Sequence, residues 1–227
     1  MSTVLCRSFR RTLRPGVRAL RAGFTLIELL AVILIIGILM TFLLPKIPEA
    51  IDNARVLACK KNMQEIYSGL LLYDTKHGDL PHGSGVKFFA ALIADKVWEN
   101  GKASAQKLSC PGVKRSALAG IANLDNPDDW YSHLDQVDGT YSAYAGRNMK
   151  DHALRKFPGG AKEALVADDN DPEMNHRTTT VVLFADGNVA TYELSELQKN
   201  GTLHEDENVL KVGPDSPVPE LTTLSVD

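Results

Sequence analysis

Phe24-Thr25-Leu26-Ile27-Glu28-Leu29-Leu30-Ala31-Val32-Ile33-Leu34-Ile35-Ile36-Gly37-Ile38-Leu39-Met40-Thr41-Phe42-Leu43-Leu44 is a long apolar run with one carboxylate, Glu28, near its start. As a helix rising about 1.5 Å per residue it would span roughly 30 Å, the thickness of a bilayer core. Glu28 would then lie in hydrocarbon, where an unpaired carboxylate costs on the order of 2.5 kcal/mol, so the residue calls for a partner and a function. A plain membrane anchor explains the length but gives Glu28 no purpose. A secretory signal should have an apolar core of about 7–15 residues followed by a small-residue cleavage site. This run is longer and ends in Leu43-Leu44-Pro45. A third reading is a basic leader that ends in glycine and is cut before the apolar run.

The preceding residues suit that third reading. Residues 1–23 carry Arg7, Arg10, Arg11, Arg14, Arg18 and Arg21 and no acidic residue. Positive charge stays on the cytoplasmic side, which puts the chain after Leu44 on the outer side of the inner membrane. Without these six arginines, the 25 Lys plus Arg of the whole chain fall to 19 against 28 Asp plus Glu, a balance of −9. An acidic exported part is a poor partner for nucleic acid.

Gly23-Phe24-Thr25-Leu26-Ile27-Glu28 resembles the cleavage and methylation motif of type IV pilins and of the pseudopilins of type II secretion. The resemblance implies cleavage between Gly23 and Phe24 by a membrane-embedded prepilin peptidase and methyltransferase, and N-methylation of Phe24. It implies that Glu28 meets the N-terminal ammonium of a neighbouring pilin or pseudopilin subunit. It also implies an inner-membrane assembly platform driven by a cytoplasmic ATPase. Pro45 falls where such chains often carry a helix-kinking proline. The expected product is a single-pass inner-membrane protein, cytoplasmic at its N-terminus and in contact with lipid, with an extracytoplasmic head that ends in a pseudopilus or cell-surface filament. A membrane-anchored head with a binding function that never polymerises is the alternative.

Three segments follow from this division: the leader 1–23, the membrane and assembly helix 24–44, and the head 45–227. Val56, Cys59, Met63, Ile66, Leu70 and Tyr73 recur at three- and four-residue steps between polar residues. They predict an amphipathic helix over about 49–76, stopped at His77-Gly78. Residues 87–98 read as a short amphipathic helix and 139–147 as a weak strand. The Asp-, Asn- and Pro-rich stretch 123–138 reads as a surface loop anchored by Trp130 and Tyr131. Two β-rich runs around Asp186-Gly187 predict a hairpin over about 178–194 with a two-residue type I′ turn. Helix first and antiparallel sheet later is an α+β plan, in agreement with pilin architecture.

His176, nine intervening residues and then Asp186-Gly187 resemble the H-X9-DG signature of pilin-like proteins typical of planctomycete-type bacteria. Cys59-Lys60-Lys61-Asn62 and Cys110-Pro111 are similar to further segments of the same set, whereas Arg177 to Thr180 replace its usual glycines and Asn188 its usual histidine. His176 is expected to hydrogen-bond across the hairpin base and Asp186 to make the turn. Asp168, Asp169 and Asp171 crowd oxygen ligands together, and the resemblance to major pseudopilins makes calcium a candidate there, although the regular spacing of an EF-hand loop is missing. Otherwise no cofactor is expected. His77, His82, His133, His152 and His204 are scattered without zinc-ligand spacing. Cys6 leaves with the leader, so Cys59 and Cys110 form either one disulfide or two buried thiols. No nucleophile elbow, phosphate loop, dinucleotide fingerprint or metalloprotease motif is present, so catalysis is not expected. Ser195 reads as the cap of a short helix through Lys199.

Overall fold

The computed structural model describes residues 24–168 and 175–227. The leader with Gly23 and Cys6, and the acidic residues Asp169 and Asp171, lie outside the described residues. The chain divides into two units, Met1–Lys46 and Ile47–Asp227.

In the first unit, α1 (Leu26–Leu43) begins at Thr25 in a capping box: the Glu28 N–H donates to Thr25 Oγ1, and the Glu28 side chain accepts from the Thr25 N–H. The box satisfies two of the helix's first free amides. The α-helix gives way to a 3₁₀ turn at Leu44–Lys46, where Pro45 supplies no amide donor. No residue of α1 is buried. Its apolar window, with mean hydropathy 2.9, is long enough to cross a membrane and fits a single-pass anchor.

The second unit opens with α2 (Ile47–His77), which ends where Gly78 takes φ +78°. Its predicted stripe is real: Cys59, Met63, Ile66 and Leu70 are fully buried. Next come α3 (Val86–Ala94), α4 (Lys102–Lys107) and α5 (Ala119–Ala122). Strands β1 (Tyr144–Arg147), β2 (Ala164–Asp168), β3 (Thr179–Phe184), β4 (Val189–Glu193) and β5 (Leu224–Ser225) form one sheet in the order β4-β3-β2-β1-β5. Every neighbouring pair is antiparallel. A short α6 (Leu194–Lys199) follows β4. The architecture is α+β, as the sequence predicts.

At β2 and β3 the sheet is covered on both faces, so these strands read as apolar runs rather than strict alternations. Val181 and Leu183 of β3 face α2 and α3, together with Leu165, Val166, Phe88 and Phe89. Val182 and Phe184 face the opposite way, beneath Leu197, Leu203, Leu210 and Leu221. A register shift between Ala164 and Val166 places Leu165 and Val166 in the same core, the expected effect of a β-bulge. Beside the strand residues and Leu197, the second core takes Leu203, Leu210, Val218 and Leu221 from the chain after Lys199.

Two local expectations are corrected. The hairpin exists, but its turn is not type I′. Gly187 N–H donates to Phe184 O, Phe184 N–H donates to Asn188 O, and only Gly187 takes positive φ, at +86°, while Asp186 does not. This is a type I turn closed by a left-handed glycine, the three-residue hairpin loop. Asp186 Oδ1 accepts from the Asn188 N–H at 3.0 Å, so its turn role holds. Tyr67 lies over Gly187, so any Cβ there would meet the ring at 2.7 Å. Ser195 sits inside α6, and Glu193 is the N-cap residue. The 123–138 loop is anchored as expected, with Trp130 and Tyr131 both buried and Tyr131 Oη donating to Tyr141 O at 2.9 Å.

Gly146 in β1 faces the Gly85 carbonyl so closely that an added Cβ would overlap it. Gly146→Ala should lower stability by about 1–3 kcal/mol, read as a fall in Tm with an unchanged far-UV spectrum. A Tm equal to the parent's would show that the approach of β1 to Gly85 is not tight.

Candidate functional site

Two places concentrate chemistry. At the start of α1, Glu28 Oε2 accepts from both the N–H and the Oγ1 of Thr25, each at 2.9 Å. The carboxylate is therefore folded back onto the helix N-terminus, where the macrodipole favours negative charge. Phe24 lies immediately before this cap and is exposed.

The second place is in the core of the head. Cys59 comes from the middle of α2, Cys110 from the turn after α4, Asp168 from the end of β2, and His176 from the segment entering β3. Between them they expose at most 2% of any residue, and one donor atom from each lies within 4.8 Å of the others. His176 Nε2 is 3.0 Å from Asp168 Oδ2 and 3.5 Å from Cys110 Sγ. Cys59 Sγ donates to Asp168 Oδ2 at 3.3 Å.

A surrounding layer holds these four residues. Tyr144 Oη donates to Cys59 Sγ at 3.4 Å, and the Gly112 N–H donates to Cys110 Sγ at 3.3 Å. Asn175 Nδ2 bridges Asp168 Oδ1 and the Ala143 carbonyl. On the far side of the ring, His176 Nδ1 faces Asp52 Oδ1 at 3.7 Å and makes no hydrogen bond. Asp52 is itself held by the Arg177 N–H at 3.1 Å. Gly112 fits so tightly beneath the Asn175 carbonyl that no side chain could stand there.

Burial dominates the electrostatics. It pushes the Cys59 thiol well up, and the hydrogen bond to Cys110 and the charge of Asp168 add to the effect. The Cys110 thiol moves down, because its thiolate accepts from Cys59 and is supported by His176. Burial opposes charge on His176, yet the hydrogen bonds and charges of Asp168 and Cys110 outweigh it and raise its pKa to about 10.

The sequence expectations fare unevenly here. His176 does not span the hairpin base; it turns into the core toward Cys110 and Asp168. Cys59 and Cys110 do meet, but as free thiols rather than a disulfide. Asp168 is beside two sulfurs and a ring nitrogen, which is not the all-oxygen shell that calcium takes, and Asp169 and Asp171 lie outside the described residues. Sequence spacing missed the cluster because its members come from four separate segments. A signal was nonetheless available, since Cys59, Cys110 and His176 are the marked residues of the three segments that carry the second resemblance.

Cys110 and Asp168 both address Nε2, and Asp52 faces Nδ1 from the other side of the ring. Neither thiol is open to a substrate.

Residues 18–44 match the family model described as the prokaryotic N-terminal methylation motif. That match supports a type IV pilin-like substrate of a prepilin peptidase. No curated protein and no solved structure matches the chain.

Because both thiols are buried and free, the chain beginning at Phe24, kept reduced during purification, should show almost no reaction with an aromatic disulfide reagent while folded. In denaturant it should show two reactive thiols. No reactive thiol in denaturant would mean that Cys59 and Cys110 are bonded to each other.

Proposed function

We propose that this protein is a pilin-like or pseudopilin subunit, cut between Gly23 and Phe24, methylated at Phe24, and assembled through α1 into a type II secretion pseudopilus or type IV pilus-like filament. The observation that carries the reading is the methylation motif over residues 18–44, together with a single carboxylate, Glu28, in an otherwise apolar helix. Cleavage creates a new ammonium group at Phe24, four residues before Glu28 in the sequence. In lipid, such an ammonium on one subunit and the Glu28 carboxylate on the next neutralise each other, and low dielectric strengthens the pairing. A subunit that docks is thereby favoured over one that stays alone in the bilayer. The apolar flank of α1 then packs against its neighbours.

The work is mechanical, and the chain supplies no catalysis of its own. An inner-membrane platform and a cytoplasmic ATPase act in trans to drive polymerisation, and the head faces the extracytoplasmic side. The acidic balance of the processed chain and the loss of the leader arginines leave no basis for nucleic-acid binding.

Glu28→Gln separates the two roles of the carboxylate. The amide oxygen still accepts from the Thr25 N–H, so the cap of α1 is kept, but the charge is gone. The variant should insert in the membrane at parental levels and yield at least about tenfold less sedimentable filament. Filament at parental abundance from Glu28→Gln would contradict assembly through this charge.

A further inference from the structure

We propose that Cys59, Cys110, Asp168 and His176 bind one zinc ion in a closed, structural four-ligand site inside the head. A zinc tetrahedron with Zn–S bonds of about 2.3 Å and Zn–N or Zn–O bonds of about 2.0–2.1 Å sets its ligand atoms roughly 3.3–3.8 Å apart. The observed separations of 3.0, 3.3 and 3.5 Å lie at or just inside those edges. Four donors from four separate segments thus converge on one point, and that point is dry.

Other occupants fit less well. Calcium and magnesium take oxygen ligands, whereas two sulfurs, an imidazole and one carboxylate suit zinc. A disulfide would use the two sulfurs and leave His176 and Asp168 together in an apolar core, with no account of why Nε2 is aimed between the sulfurs. Burying that many polar groups without a compensating centre is costly.

The surrounding residues are placed as a metal's outer layer would be. With Nε2 on the ion, the imidazole proton resides on Nδ1, the nitrogen that faces Asp52 and otherwise makes no hydrogen bond. A carboxylate behind a ligating histidine fixes its tautomer and ring orientation. Two thiolates, one carboxylate and a divalent ion leave one net negative charge. The donors from Tyr144 and Gly112 to the sulfurs, and from Asn175 to Asp168, spread that charge. Binding displaces the thiol protons to solvent. Cys110 also borders a groove of about 630 Å³, and none of the other three ligands lines it.

The ion would tie α2, the turn after α4, the end of β2 and the lead-in to β3 to one centre. It would do the work of a disulfide between Cys59 and Cys110, and join more segments. The site is closed, with every position filled by protein, so it stabilises the fold rather than activating water.

The test is metal analysis of the full chain, purified from membranes in detergent under reducing conditions, followed by chelation and titration with zinc or cobalt(II). About one zinc per chain is expected. Cobalt should give the intense thiolate-to-metal absorption of a tetrahedral site, and zinc should displace it. Asp52→Ala, behind the histidine, should weaken zinc by about 10–100-fold, His176→Ala should abolish the cobalt absorption, and His82→Ala, on an exposed histidine, should change neither. Because loss of a ligand also weakens a zinc-dependent fold, the titration of the unaltered chain is decisive. Failure of the reduced chain to bind zinc or cobalt, preferential binding of another metal, or a native Cys59–Cys110 disulfide would each overturn the proposal.

Discussion

Charges and polar atoms removed from water have to be matched by partners, and this requirement acts at two places in the chain. One is Glu28 in the apolar helix, whose only contacts among the described residues are with the Thr25 N–H and Oγ1. The other is the core cluster of Cys59, Cys110, Asp168 and His176, whose members are nearly or wholly hidden from solvent. An unmatched group costs several kcal/mol in either setting. The fold of the head brings the second set together around one point. In the proposed assembly the first is completed by another molecule.

That difference separates what the two features do. A polar centre gathered inside a domain specifies how its parts pack. Here it fixes α2, with the residues around Cys59, to the end of β2 and to the segment that leads into β3. A charge left in apolar surroundings and only locally capped is an instruction to associate. Both follow from the same physics, and the surrounding residues decide which outcome applies: Tyr144, Gly112, Asn175 and Asp52 enclose the cluster, whereas α1 buries none of its residues.

Much of the fold could be read from residues alone where a single local pattern dominates. The apolar run gave α1, the stripe from Val56 to Tyr73 gave α2, and Asp186-Gly187 gave the hairpin. The turn type is not legible locally, because Asp-Gly serves both a two-residue loop and a three-residue loop closed by a left-handed glycine, and which one forms depends on where β3 and β4 register, Leu183 opposite Val189. The second core was hidden for a related reason. Leu203, Leu210 and Val218 belong to irregular chain and Leu221 to a short 3₁₀ turn, Pro219–Thr223, so no long period marks them. The cluster was harder still, because ligand spacing is a local idea and these four residues meet only through tertiary structure. Local sequence places His176 at a hairpin base and Asp168 in an acidic loop, and only the folded sheet brings them together.

The processing of the N-terminus underlies the whole functional account, since without a free Phe24 amine Glu28 has no partner of the kind argued. The most direct measurement is the intact mass, with the N-terminal peptide, of the native protein extracted from membranes. The account predicts a chain that starts at Phe24 and is heavier by one methyl group. A mature protein that retains residues 1–23 would contradict it.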